Sequence, residues 1–184
     1  MSFMLLGILN SQAAGGGGGS YDLLETTTLT SNSSGITFTN VDAYSDYTHL
    51  QIRYVARTNR SSSVDLLNLR LNSDSGSNYS SHSVKSDGSL VSNAYASETN
   101  MRIGHLTAAT APSGTFAAGY INILDAFKTT KKKTVMSLTG VANPNEIVLS
   151  SGLWDNTSAV TTIAFGNLSA LFLIGTRFSL IGIK

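Results

Sequence analysis

Three histidines, His49, His82 and His105, are the side chains of this chain whose ordinary titration falls near neutral pH. No two of them stand at metal-ligand spacing, so a zinc or copper site would need ligands brought together by the fold. Ordinary packing or surface roles are therefore expected for all three. Asn72-Ser73-Asp74-Ser75-Gly76-Ser77-Asn78 spaces oxygen side chains as the opening of a calcium loop does. Its closing position is Ser83, not a bidentate Glu, and it holds a single carboxylate. The same letters suit a turn between strands, because Asn, Asp and Gly tolerate turn dihedrals. A turn is the expectation.

Nucleophilic chemistry has no anchor either. The chain has no cysteine, which removes thiolates and disulfides together. No serine sits in a G-x-S-x-G elbow. The 11 acidic residues are scattered, with no evident glycosidase pair. The sequence thus predicts no enzyme, no catalytic residue, no metal and no cofactor.

One charge concentration stands out, Lys128-Thr129-Thr130-Lys131-Lys132-Lys133. A solvated connection whose lysines discourage edge-to-edge strand pairing explains it. The sharper reading makes Lys128, Lys131, Lys132 and Lys133 a surface contact to an acidic partner or to lipopolysaccharide phosphate. Lysines without interleaved aromatics make a poor nucleic-acid site. Net charge is +1 and charged residues are 12% of the chain, about half the usual share. That leaves no electrostatic footprint for nucleic acid or an anionic membrane. Trp154, in Ser151-Gly152-Leu153-Trp154-Asp155-Asn156, follows a dense apolar run and reads as a core or subunit-interface anchor.

The elements that must position these residues have a period of two. Leu50-Gln51-Ile52-Arg53-Tyr54, Leu67-Asn68-Leu69-Arg70-Leu71 and Ile121-Asn122-Ile123 alternate apolar and polar, as half-buried antiparallel strands do. Thr134, Met136 and Leu138 would share one face of a strand over 134–139. Strands are predicted near 22–30, 35–39, 48–57, 64–72, 79–85, 100–105, 117–124, 133–140, 145–150, 158–165 and 176–183, with Ser/Asn/Asp/Gly clusters between them. Both prolines, Pro112 and Pro144, fall in loops, and no long 3.6-residue apolar stripe follows residue 20. The fold class predicted is all-β: an antiparallel β-sandwich of jelly-roll type over residues 21–184.

Residues 1–20 are of another kind. A short apolar segment holding Met4, Leu5, Leu6, Ile8 and Leu9 precedes the leash Gly15, Gly16, Gly17, Gly18 and Gly19. With no Lys or Arg ahead of it, the segment is a poor secretory signal. It reads as a retained extended arm that docks on a partner. A coil of about five glycines spans only on the order of 10–15 Å, so the apolar plug must dock close beside its own domain.

The blocks YDLLETTTLTSNSSGITFTNV, YTHLQIRYVARTN, LRLNSDSGSNYSSH, INILDAFKTTKKKTV, SSGLWDNTSAVTTIAF and TRFSLIGIK, taken in order, resemble a group of tailed-bacteriophage virion structural proteins of aquatic and cyanobacterial phages. The resemblance covers about residues 21–184 and implies a virion component on the exterior of the particle. Within that class the short leash and absence of a shaft favour a capsid decoration or cement protein. Its implied partners are the major capsid protein or neighbouring virion subunits, and the chain itself as a homo-oligomer, trimer or dimer. The alternative is a tail fibre, tailspike or baseplate component binding a host surface receptor.

Overall fold

The alternating runs fold as strands in the computed structural model, which describes residues 20–166 and 170–184. In chain order the strands are β1 (Tyr21–Thr28), β2 (Gly35–Phe38), β3 (His49–Ala56), β4 (Val64–Leu71), β5 (Tyr79–Ser86), β6 (Leu90–Glu98), β7 (Met101–Thr107), β8 (Ala117–Ile123), β9 (Lys133–Val141), β10 (Glu146–Trp154), β11 (Ile163–Gly166) and β12 (Arg177–Ile183). Among the described residues the one helical element is a single 3-10 turn, Val41–Tyr44.

Two antiparallel sheets result. The larger has eight strands in the order β1-β12-β3-β8-β9-β10-β5-β6, and the smaller has four in the order β2-β11-β4-β7. The chain crosses between sheets at most connections. It stays within the larger sheet only through the β5–β6 hairpin and the β8–β9–β10 meander. Those excursions supply the extra width of the larger sheet.

Between the sheets lies one apolar cluster. Leu50, Ile52, Phe178, Leu180, Ile121 and Ile123 from the large sheet meet Phe38, Leu67, Leu69, Leu71 and Phe165 from the small one. Phe178 is the hub of its aromatic part. Its ring lies 4.7 Å from Phe165, 5.3 Å from Tyr54 and 5.8 Å from Phe172, in tilted, stacked and edge-on arrangements. Such pairs add to the burial energy of the rings themselves. Gly152 lets the sheets close up: a Cβ there would fall 2.2 Å from Met101 Sδ on β7.

Two sequence expectations change here. Strand β6 was not anticipated, because Leu90-Val91-Ser92-Asn93-Ala94-Tyr95-Ala96-Ser97-Glu98 has no buried face to impose alternation. The apolar face of residues 134–139 also points outward. Val135, Ser137 and Thr139 turn into the sandwich, leaving Met136 exposed on the outer surface.

Candidate functional site

Most of the polar clusters in the described structure are tied into the scaffold. On β10, the carboxylate of Glu146 is almost fully buried, and it takes a hydrogen bond from Lys85 Nζ at 3.0 Å while pairing with His105 Nδ1. Sequence reading could not find this group, since its members come from β5, β7 and β10. Arg57 is buried and holds the 109–115 loop by donating to the carbonyls of Ala109, Ala111, Pro112 and Thr115. The hydroxyl of Thr58 donates to Asp65, which also pairs with Arg60 at 3.1 Å.

The 72–78 segment is a turn, as expected. Asp74 accepts from Gly76 N at 2.8 Å, Asn78 Nδ2 at 2.9 Å and Trp154 Nε1 at 2.7 Å. These donors, the indole first, hold its carboxyl below the usual range. Trp154 itself is fully buried, stacked on Tyr79 at 6.4 Å. It is a core residue and not an interface anchor, because its ring closes the end of the sandwich and its N–H is spent on Asp74.

Lys133 is also corrected. Expected at the surface, it has no exposed area. Its ammonium donates to the carbonyls of Lys128, Lys131 and Thr157 at 2.6, 2.8 and 3.1 Å, and so ties the basic loop from within. Burial lowers its pKa, with Asp125 opposing. The neighbouring Lys131 and Lys132 are exposed and pair with Asp125 at 2.7 Å and Asp155 at 2.5 Å. Lys128 is exposed as well.

Nor do the histidines converge. His49 Nδ1 accepts from the Asp125 amide at 2.9 Å, His105 is in the Glu146 cluster, and His82 faces out from β5. Among the described residues no group of three or more His, Cys, Asp or Glu is placed to hold a metal ion.

What remains is the outer face of the large sheet. The register aligns Tyr120, Leu138, Leu149 and Val84 in one row across β8, β9, β10 and β5. Met136 and Ile147 stand beside that row in the neighbouring ones. Five of these six side chains are large, apolar and exposed, and Leu138 is half-buried. On the inner face of the same strands lie Ser81, Ser137, Thr139, Glu146 and Ser150, all buried. Ser137 is satisfied by the Ile103 carbonyl and Thr139 by Tyr54 OH, each at 2.5 Å. The inner face of β5, β9 and β10 is thus mixed, these polar groups lying among the buried Tyr79, Val135, Val141, Val148 and Trp154. The outer face carries exposed apolar side chains beside Thr134, Ser151 and His82, where a solvated face would be polar throughout.

Two shallow concavities mark this surface. One of about 430 Å³ is lined by His82, Val84, Ala94, Met136, Leu149 and Ser151. The other, about 510 Å³, lies toward β1 and is lined by Tyr21, Leu23, Arg53, Arg177 and Ile181 among others. The arm residues Met4, Leu5, Leu6, Ile8 and Leu9, and the linker Gly15–Gly19, lie outside the described residues. No protein-family model matches this chain, and neither does any curated protein or solved structure.

Proposed function

We propose that this chain is a non-enzymatic structural protein of a phage virion, and within the particle a capsid decoration or cement protein. The observation that carries the reading is the row of exposed apolar side chains across the outer face of the large sheet. The chain presents these side chains on the outer face of an eight-stranded sheet, which suits docking on another protein better than holding a small substrate.

The topology adds to this. Leaving aside β5, β6, β9 and β10, the two sheets read β1-β12-β3-β8 and β2-β11-β4-β7, an order that supports a winding of jelly-roll type. The described chain begins beside β1, at the edge of the large sheet, where Tyr21 and Leu23 are exposed. In this reading the large sheet faces the shell and the arm docks into a groove of a neighbouring subunit. Binding at two points of one rigid body raises the effective concentration of each.

Quantitative mass spectrometry of purified particles tests the proposal. A copy number comparable to that of the shell subunits supports it. A small fraction of that number, matching a tail or baseplate, replaces it with the receptor-binding alternative, and absence from particles overturns both.

A further inference from the structure

Four strands end the two sheets, and three of them are blunted. At β1 the edge carries Asp22 and Glu25 and a register shift between Leu23 and Glu25. With four residues, β2 is too short to template much pairing. β7 is shielded by the chain itself: Arg102 lies 4.0 Å over the Tyr95 ring and pairs with Glu98 at 3.1 Å. Charges, bulges, shortness and covering are the usual defences of a sheet edge.

β6 has none of these along most of its length. It is nine residues long, with neither proline nor charge before Glu98. Its register with β5 is regular from Ser81/Tyr95 to Ser86/Leu90, and the irregularity falls at the Glu98 end. Leu90 on the outer face is 77% exposed and Val91 on the inner face 41%, so the small sheet leaves this end of the strand uncovered and reaches it only at Tyr95 and Glu98 through Arg102. Among the described residues the backbone groups on its far side have no partner.

We propose that β6 pairs antiparallel with β6 of a second copy, in the register centred on Asn93. This inference stands whether or not the virion reading does. A twofold axis at Asn93 places Val91 beside Tyr95 of the other copy, a β-branched–aromatic pair of the kind that stabilises sheets. It places Ser92 opposite Ala94 on the outer face and Leu90 opposite Ala96. Charge selects the direction. In an antiparallel pair the two Glu98 carboxylates sit at opposite ends, whereas a parallel pair would set them side by side. Two copies joined this way satisfy each other reciprocally with one patch each. Their large sheets become continuous, and so do their apolar outer faces.

Size-exclusion chromatography with light scattering on the full chain tests this, using two double variants at exposed positions. Wild type should show twice the 19.4 kDa chain mass. S92K/A94K sets lysines directly opposite each other across the axis and should be monomeric with an unchanged melting temperature. S92K/A94E sets Lys opposite Glu in the same register and should restore the dimer. A monomeric wild type overturns the proposal, leaving the edge to a strand of another protein or to solvent. So does an oligomer that S92K/A94K leaves intact, which would point to the arm or the sheet face instead. Failure of S92K/A94E to recover the dimer overturns the Asn93 register.

Discussion

Replacing Met136, Ile147 and Leu149 together by Thr tests the outer face directly. The three side chains are 46%, 53% and 50% exposed, so about half of each is still open to a partner. Full burial of such a side chain contributes about 1.5–3 kcal/mol, and covering the open half therefore about 0.8–1.5 kcal/mol each. The three together are worth about 2.5–4.5 kcal/mol of docking energy, or roughly two to three decades in Kd. The domain itself should lose little, because Thr suits a strand and these groups line no core; a total cost within about 2 kcal/mol is expected. The assay is titration of labelled protein onto particles lacking it, followed by pelleting, with thermal melting in parallel. The expected result is a well-folded variant whose particle affinity falls by that factor. If M136T/I147T/L149T binds particles like wild type, the face is not the docking surface and the argument from its exposed apolar row fails.

Two further predictions concern the residues that hold the scaffold. Lys133→Ala removes the ammonium that satisfies three carbonyls, and should cost about 2–4 kcal/mol by chemical denaturation. Lys131→Ala and Lys132→Ala break only exposed ion pairs and should each cost under about 1 kcal/mol; equal effects at all three positions would contradict the buried role of Lys133. Asp74→Ala leaves the buried Trp154 N–H without its acceptor and should cost about 2–4 kcal/mol, with a shift in the emission of the chain's one tryptophan. Because folding lowers the Asp74 pKa, its stabilisation is present above the unfolded value of about 3.9 and is lost as pH falls through the folded value. The gap between wild type and Asp74→Ala should therefore narrow below about pH 4, and a gap independent of pH would refute the assignment.

How much of this was legible in the sequence follows from what each signal depends on. Strands β3, β4 and β8 were plain because Leu50, Ile52, Leu67, Leu69, Ile121 and Ile123 face one core and impose alternation. The turn at Asp74 was plain because its chemistry is local, all but the Trp154 contact lying within a few residues. The Glu146–His105–Lys85 cluster left no trace, since its members are brought together only by the pairing of β5 with β10 and the packing of β7 upon them. Lys133 was misread because a run of lysines resembles a solvated face. One residue of such a run can turn inward when the backbone curls round it and offers three carbonyls.

The remaining misreadings share a cause. Hydrophobic patterning reports burial within one chain, so an exposed apolar face registers as a pattern out of phase and a little-buried strand as no pattern at all. Thr134, Met136 and Leu138 share one face, as their spacing implied, but that face is the outer one, with Ile147 and Leu149. β6 looked like a loop because neither of its faces meets the core. Both anomalies fall on the half of the large sheet that runs past β8, built from the strands that the β5–β6 hairpin and the β8–β9–β10 meander add to the sandwich. Their inner face still contributes Tyr79, Val135, Val141 and Trp154 to the core cluster. Under the two proposals made above, the apolar outer face of these strands is offered to a shell and the open edge of β6 to a second copy.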